Sequence, residues 1–143
     1  MNSLTLNEMK MGDEATLVKT FSEAMVMDYA RITDDWNPAH TDDTYAAKTV
    51  FQRRIVHGML VGAMYSTIFG CLLPGLGSIY TKQSLKFVKP VYFGDTITAK
   101  VTVADRIPEK NRVLFRCESH NQHQEVVVVG EAEIMPPKAK VTL

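Results

Sequence analysis

The sequence predicts an α+β fold in which a long buried helix is wrapped by a curved antiparallel sheet. Two observations carry this. Residues 58–69, from Gly58-Met59-Leu60-Val61 to Thr67-Ile68-Phe69, are apolar nearly all round, and a helix with no polar face belongs inside a core, buried on nearly all sides. From Ile79 onward the chain is rich in Val, Ile, Thr and Phe, in four segments separated by turn residues. Alternation such as Ile97, Ala99, Val101, Val103 marks strands with one buried and one wet face.

The elements follow in order. Residues 15–21 contain a short β-like segment. Ser22 then precedes a stretch in which Met25, Tyr29 and Ile32 recur at helical spacing, so Ser22 is the expected N-cap of a helix ending near Asp34. Pro38 drives Asn37 out of the α region, so residues 35–38 form a turn or loop. A second short helix is expected around residues 43–48, capped by Thr41 or Asp42. Gly58 opens the apolar helix, and Leu73-Pro74-Gly75-Leu76-Gly77 closes it. Strands are expected over residues 79–88, 96–103, 113–119 and 126–134. Gly94-Asp95, Pro108-Glu109-Lys110-Asn111 and Asn121-Gln122-His123-Gln124 are the turns between them.

Bulk properties narrow the function. At 143 residues, with 45% apolar and 22% charged residues, the chain reads as one domain over residues 1–143. Sixteen basic residues balance sixteen acidic ones, which gives no reason to expect nucleic acid or an anionic membrane as partner. The first ten residues lack the basic start and apolar block of a secretory leader. The apolar run of residues 59–73 is shorter than the roughly 20 residues a membrane span needs. Cys71 and Cys117 have neither CxxC spacing nor neighbouring histidines, so packing thiols in a reducing cytoplasm are expected, with no metal site.

Chemistry concentrates in Asp34-Asp35-Trp36-Asn37-Pro38-Ala39-His40. On a continuous helix Asp35 and His40 would point about 140° apart, but the Pro38 turn lifts that restriction. A carboxylate and an imidazole aimed at one point supply general acid/base catalysis near neutral pH. The same segment also fits a plain Asx-Pro turn. Asn37 has an amide able to orient a neighbour. Gly58, at the mouth of the apolar helix, lets a ligand approach free backbone N–H groups suited to a developing oxyanion; it equally fits a tight entry turn. His57 either joins that site or caps and packs. Gly62 allows close packing. Ser66, inside the helix, ordinarily bonds back to a carbonyl one turn earlier. Arg53, Arg54, Lys82, Lys86 and Lys89 are the candidate contacts for a phosphorylated ligand.

Together these segments resemble the (R)-specific enoyl-CoA hydratases of the MaoC-like, hydratase 2 group. The resemblance rests on Asp35-Trp36-Asn37-Pro38-Ala39-His40, Ile55-Val56-His57-Gly58-Met59-Leu60, Gly77-Ser78-Ile79-Tyr80 and Val91-Tyr92-Phe93-Gly94-Asp95, and runs from about Tyr29 to Glu133. It implies a hot-dog fold, a long central helix in a curved antiparallel sheet. It implies Asp35 and His40 as the catalytic pair, the Gly58 N–H as a holder of the thioester oxygen, and Ser66 as an auxiliary residue. It implies acyl-CoA as substrate, no cofactor, and a homodimer whose pairing covers an open strand edge, such as one in residues 126–134. Two positions depart from the family: Asp34, where Gly is usual, and Arg54, where Pro is frequent. The rival readings are a hot-dog dehydratase acting on another thioester (carrier-protein-bound, branched or dicarboxylic), a thioesterase, and a non-catalytic acyl-CoA-binding subunit. A binding subunit has no use for an acid/base pair, and thioester hydrolysis does not need this Asp/His spacing.

Overall fold

A computed structural model describes residues 1–143. The chain runs β1 (Glu14–Thr20), α1 (Glu23–Thr33), α2 (Pro38–Thr41), α3 (Asp43–Ala46), α4 (Gly58–Cys71), β2 (Ile79–Gln83), β3 (Lys86–Phe87), β4 (Thr96–Ile107), β5 (Arg112–His120) and β6 (Val126–Met135). Single 3-10 turns lie at Leu6–Glu8 and Pro108–Lys110. The strands form one antiparallel sheet in the order β1-β4-β5-β6-β2, with β3 also pairing with β6. This is the hot-dog arrangement the resemblance implies. No helix is long and apolar enough to cross a membrane.

Alternation decides which strand face turns inward. Ile97, Ala99, Val101 and Val103 of β4 and Val113, Phe115 and Cys117 of β5 are buried, as are Ala132 and Ile134 of β6. Register shifts in β4 between Val103 and Asp105, in β6 between Val126 and Val128, and in β2 between Tyr80 and Lys82 add local twist, so the sheet curls around α4. Inside that curl Tyr65 of α4 reaches across to β5, its hydroxyl sharing a 2.6 Å hydrogen bond with Ser119. Burial raises the Tyr65 hydroxyl pKa and pushes the Cys117 thiol up to about 11, so both stay neutral in the core.

Four expectations are corrected. First, α4 is not buried all round. Val61, Gly62, Met64, Tyr65, Ile68 and Phe69 face the sheet, while Met59, Ala63, Ser66, Thr67 and Gly70 are exposed. The sheet of one chain ends at β1 and at β2/β3, which is too narrow to enclose the helix. Second, β6 is not an edge: it is flanked by β5 on one side and β2 and β3 on the other. Third, residues 79–88 are two strands. Between them Ser84 accepts and donates bonds to Glu131, and its carbonyl crosses Gly130 so closely that a Cβ there would lie 1.9 Å from the oxygen. Leu85 then dips against α4, where a Cβ on Gly62 would meet it at 2.8 Å; this is the close packing expected of Gly62. Fourth, residues 38–41 form a helical turn with Pro38 in its first turn, where the missing N–H is harmless.

Candidate active site

The residues around Asp35 are held by short-range bonds that their own sequence supplies. Ser22 caps α1 by accepting the Met25 N–H at 3.2 Å. The helix stops because Asp34 adopts the left-handed region, φ 61° and ψ 19°. That conformation explains why glycine is usual here in the resembling family, and aspartate is among the few other residues that tolerate it. The turn brings the Asp35 N–H to the Thr33 hydroxyl at 3.3 Å. Asp35 Oδ1 accepts the Asn37 backbone N–H at 3.2 Å, and Asn37 Oδ1 caps α2 by accepting the Ala39 N–H at 2.9 Å. Asn37 thus fixes Asp35 through its backbone, and its amide serves the helix start.

His40, on α2, is pinned from the other side. Its Nδ1 lies 2.8 Å from the Ile55 carbonyl, and the Ile55 N–H returns to the Ala39 carbonyl at 3.2 Å. A carbonyl only accepts, so Nδ1 carries the proton and Nε2 is left with a lone pair. The 55–57 segment is itself tied to the sheet side by the Val56 N–H to Val91 carbonyl bond at 2.7 Å.

His57 is 2% exposed and ends this segment as the N-cap residue of α4, without making a cap bond. Its Nε2 lies 3.1 Å from the Asp35 carbonyl and 3.9 Å from Asp35 Oδ2. Its ring stacks on His40 at 3.9 Å between centroids, with Tyr29 at 4.7 Å. Loss of hydration lowers the His57 pKa; His40 adds to that effect, while the bond to the Asp35 carbonyl and the Asp35 charge oppose it. Gly58 follows as the first residue of α4, and its N–H has no carbonyl one turn earlier in the helix.

Asp35, His40, His57 and Gly58 line one cavity of about 430 Å³. Its other walls are mostly apolar: Tyr29 from α1, Phe51, Ile55 and Val56 before α4, Met59 and Val61 on it, and Phe87, Val88, Pro90, Val91 and Val128 from the sheet side. Tyr29, Phe87 and Val91 were not anticipated as site residues; a periodic apolar position in a helix or strand carries no sign of which cavity it lines. Side-chain ligand atoms of Asp35, His40 and His57 lie within 4.8 Å of one another. Two of the imidazole nitrogens already donate to carbonyls, His40 Nδ1 and His57 Nε2, and the latter is the ring atom nearest Asp35. The trio is organised for moving a proton more than for gripping a cation, which needs lone pairs converging.

The remaining candidates are dispersed. Ser66 lies outside this cavity, in a neighbouring hollow of about 440 Å³ with Gly62, Ala63, Tyr80, Lys82 and Leu85; Tyr29 and Met59 border both. Lys86 lines a separate groove beside Arg116. Arg53 lies over the Tyr92 ring at 3.8 Å, in a polar hollow it shares with Lys89, and Lys89 also borders the Asp35/His40 cavity. Arg54 already has partners: its side chain is 9% exposed and bonds Glu23 at 2.7 Å and Asp43 at 2.8 Å.

The family model for the MaoC like domain matches residues 5–127. The chain belongs to the MaoC-like family. This MaoC-like chain is 47% identical over 130 residues to an (R)-specific enoyl-CoA hydratase of Rhodospirillum rubrum, covering 91% of the chain and 90% of that relative. It is 39% identical over 134 residues to an (R)-specific enoyl-CoA hydratase of Aeromonas caviae, covering 94% of the chain and 100% of the relative. Among solved structures, an unliganded R-hydratase of Pseudomonas aeruginosa superposes with a TM-score of 0.92 at 39% identity, covering 99% of this MaoC-like chain and 90% of that one.

Proposed function

We propose that the chain, acting as one MaoC-like unit over residues 1–143, hydrates trans-2-enoyl-CoA to (R)-3-hydroxyacyl-CoA, reversibly, with water activated by Asp35 and His40. The observation that carries this is the His40 Nδ1 bond to the Ile55 carbonyl. It leaves the unprotonated Nε2 as a base beside the Asp35 carboxylate, in a cavity that opens on the first N–H of α4.

The chemistry uses each group once. Water bound between Asp35 and His40 gives up a proton to the pair and its oxygen bonds to Cβ. The C=C electrons shift toward Cα and the thioester oxygen gains negative charge. The Gly58 N–H, at the positive end of an α4 that has no acidic residue in its first turn, stabilises that charge. The proton then passes to Cα from the same face. The pair ends as it began, and no cofactor takes part. The (R) configuration follows the two curated relatives.

The acyl tail runs along α4 toward the second hollow, which brings Ser66 beside it as an auxiliary contact. Lys89, which lines the cavity and pairs with Glu125, and Arg53, in the adjoining polar hollow, are the cations that meet the CoA phosphates. A homodimer is the active unit: pairing covers the exposed Met59/Ala63/Ser66 stripe of α4 and an open edge at β1 or β2/β3, and carries Lys82 and Lys86 toward the partner's CoA. The cytoplasm is the expected setting, in keeping with two unpaired thiols, Cys71 and Cys117.

Loss of the enoyl absorbance of crotonyl-CoA, followed by chiral analysis of the product, tests the activity. No turnover, or an (S) product, overturns it. Sedimentation at low micromolar concentration tests the dimer, which a fully active monomer would refute.

A further inference from the structure

An imidazole is an unfavourable group to enclose at position 57. Its Nδ1 is sealed from solvent and has no hydrogen-bond partner, and an unpartnered buried polar atom forfeits its hydration. A phenyl ring would fill the same space between Tyr29 and His40 without that loss. The imidazole does not compensate by capping α4, since it makes no cap bond.

What the imidazole does is connect the groups around it. Nε2 lies 3.1 Å from the main-chain oxygen of Asp35, and because that oxygen only accepts, Nε2 carries the proton and Nδ1 the lone pair. One face of the ring lies on His40, 3.9 Å between centroids and 28° between planes. Tyr29 of α1 bounds it elsewhere at 4.7 Å. The next residue in the chain is Gly58, whose N–H opens α4. One buried ring therefore touches the backbone of the carboxylate residue and the imidazole of the base, one peptide away from the helix start.

We propose that His57 is a positioning residue: as a neutral Nε2–H tautomer it holds the Asp35 backbone and the His40 ring in the register that proton transfer through their shared water requires. This rests on the hydratase reading of the cavity. Neutrality matters because His40 becomes an imidazolium when it takes the water's proton, and a second cation stacked on its face would oppose that charge. The groups that face His57 are Asp35, His40 and Tyr29, none of them a lasting cation that would serve in its place.

Two substitutions divide the ring from its donor. His57→Phe keeps a flat ring against His40 and removes the N–H. His57→Gln keeps an N–H at similar reach and removes the ring. With crotonyl-CoA, His57→Phe is expected to lose about 10- to 100-fold in kcat, the scale of a misplaced catalytic group. KM should stay within about threefold, since the lost effect belongs to the transition state. His57→Gln should recover at least about fivefold over His57→Phe, because it restores the tie to Asp35. A His57→Phe enzyme within about twofold of the wild-type kcat overturns the proposal, and so does a His57→Gln enzyme no better than His57→Phe. Imidazole 15N shifts of the unsubstituted protein give a readout independent of activity and of how the variants fold. A neutral Nε2–H signal for His57 at neutral pH is expected; an Nδ1–H tautomer or an imidazolium overturns the proposal. Wild-type turnover separates the two readings: unimpaired His57→Phe beside an active wild type refutes the positioning role alone, whereas a wild type inert toward enoyl-CoA refutes the hydratase.

Discussion

The ring of Phe87 occupies the space that a side chain on Gly58 would need: an ideal Cβ on Gly58 lies 2.8 Å from Phe87 Cε1. Phe87 is 50% exposed, so its ring has room to yield. Gly58→Ala is therefore expected to fold with little change in Tm, and to move Phe87 within the cavity. A displacement near 1 Å at the site reduces kcat/KM by about 10-fold or more. In the double variant Gly58→Ala/Phe87→Ala the two effects should be less than additive, because they share one contact. Strict additivity in kcat/KM would mean that the ring and the helix start act independently.

Asp35→Asn and His40→Gln should each lower kcat by about 10²–10⁴, the scale of a lost general acid/base. Their Tm values should stay close to wild type. Asp35 is exposed and its carboxylate accepts one backbone bond, from Asn37, so little packing is at stake. In the proposed mechanism the two act on one water, so the double variant should be scarcely slower than the slower single variant. Initial rates with crotonyl-CoA across the four proteins decide this.

Arg53 and Arg54 are neighbours with opposite expected phenotypes. Arg54→Met loses bonds to Glu23 and Asp43 and the contact of the guanidinium with the Phe93 ring at 4.9 Å. The carboxylates it leaves are exposed and rehydrate, so the loss should be about 1–3 kcal/mol in urea denaturation. KM for the thioester should not change. Arg53→Ala should leave stability nearly intact and raise KM a few-fold, about what one exposed phosphate contact is worth. The reverse pattern would move the CoA contact to Arg54.

Acid stability carries a signature of His57. Its pKa in the fold is lowered from the ordinary 6.5. As pH falls below that value the unfolded chain takes up a proton that the folded chain refuses, so stability drops until the folded pKa is passed and then levels off; above 6.5 the residue contributes nothing. The loss precedes that of Glu8 and Glu125, whose lowered pKa values start from 4.5. The fall in Tm between neutral pH and the onset of carboxylate protonation should be smaller in His57→Phe than in wild type. Equal falls would show that His57 titrates alike in both states.

The helices α1 and α4 and the β-rich second half were legible because their signals are local: the Ser22 cap, the apolar run after Gly58, and the alternation in β4. The Asp35/His40 cluster was legible as a motif whose spacing only a Pro38 turn reconciles. What escaped depends on residues distant in sequence. Nothing near Arg54 announces Glu23, 31 positions earlier. Hydropathy alone does not say that the sheet of one chain is too narrow for an apolar helix, so the exposed Met59 and Ser66 side looked buried. The break at Ser84-Leu85 arises from the approach to Gly130 on another strand. The tautomer of His40 is set by Ile55, 15 residues on.

The cavity has two authors within one chain. The groups proposed to react, Asp35, His40 and the Gly58 N–H, all fall in a span of 24 residues, while much of the cavity's apolar wall comes from Phe87 to Val91 and from Val128, after α4. Chemistry and fit are thus written in separate stretches of sequence that meet only on folding. On the proposed function, recombining the 87–91 and 128 positions among family members is expected to change which acyl groups are accepted without altering the sequence of the segment proposed to transfer the proton. The same separation gives evolution two dials, one for what the site does and another for what it does it to.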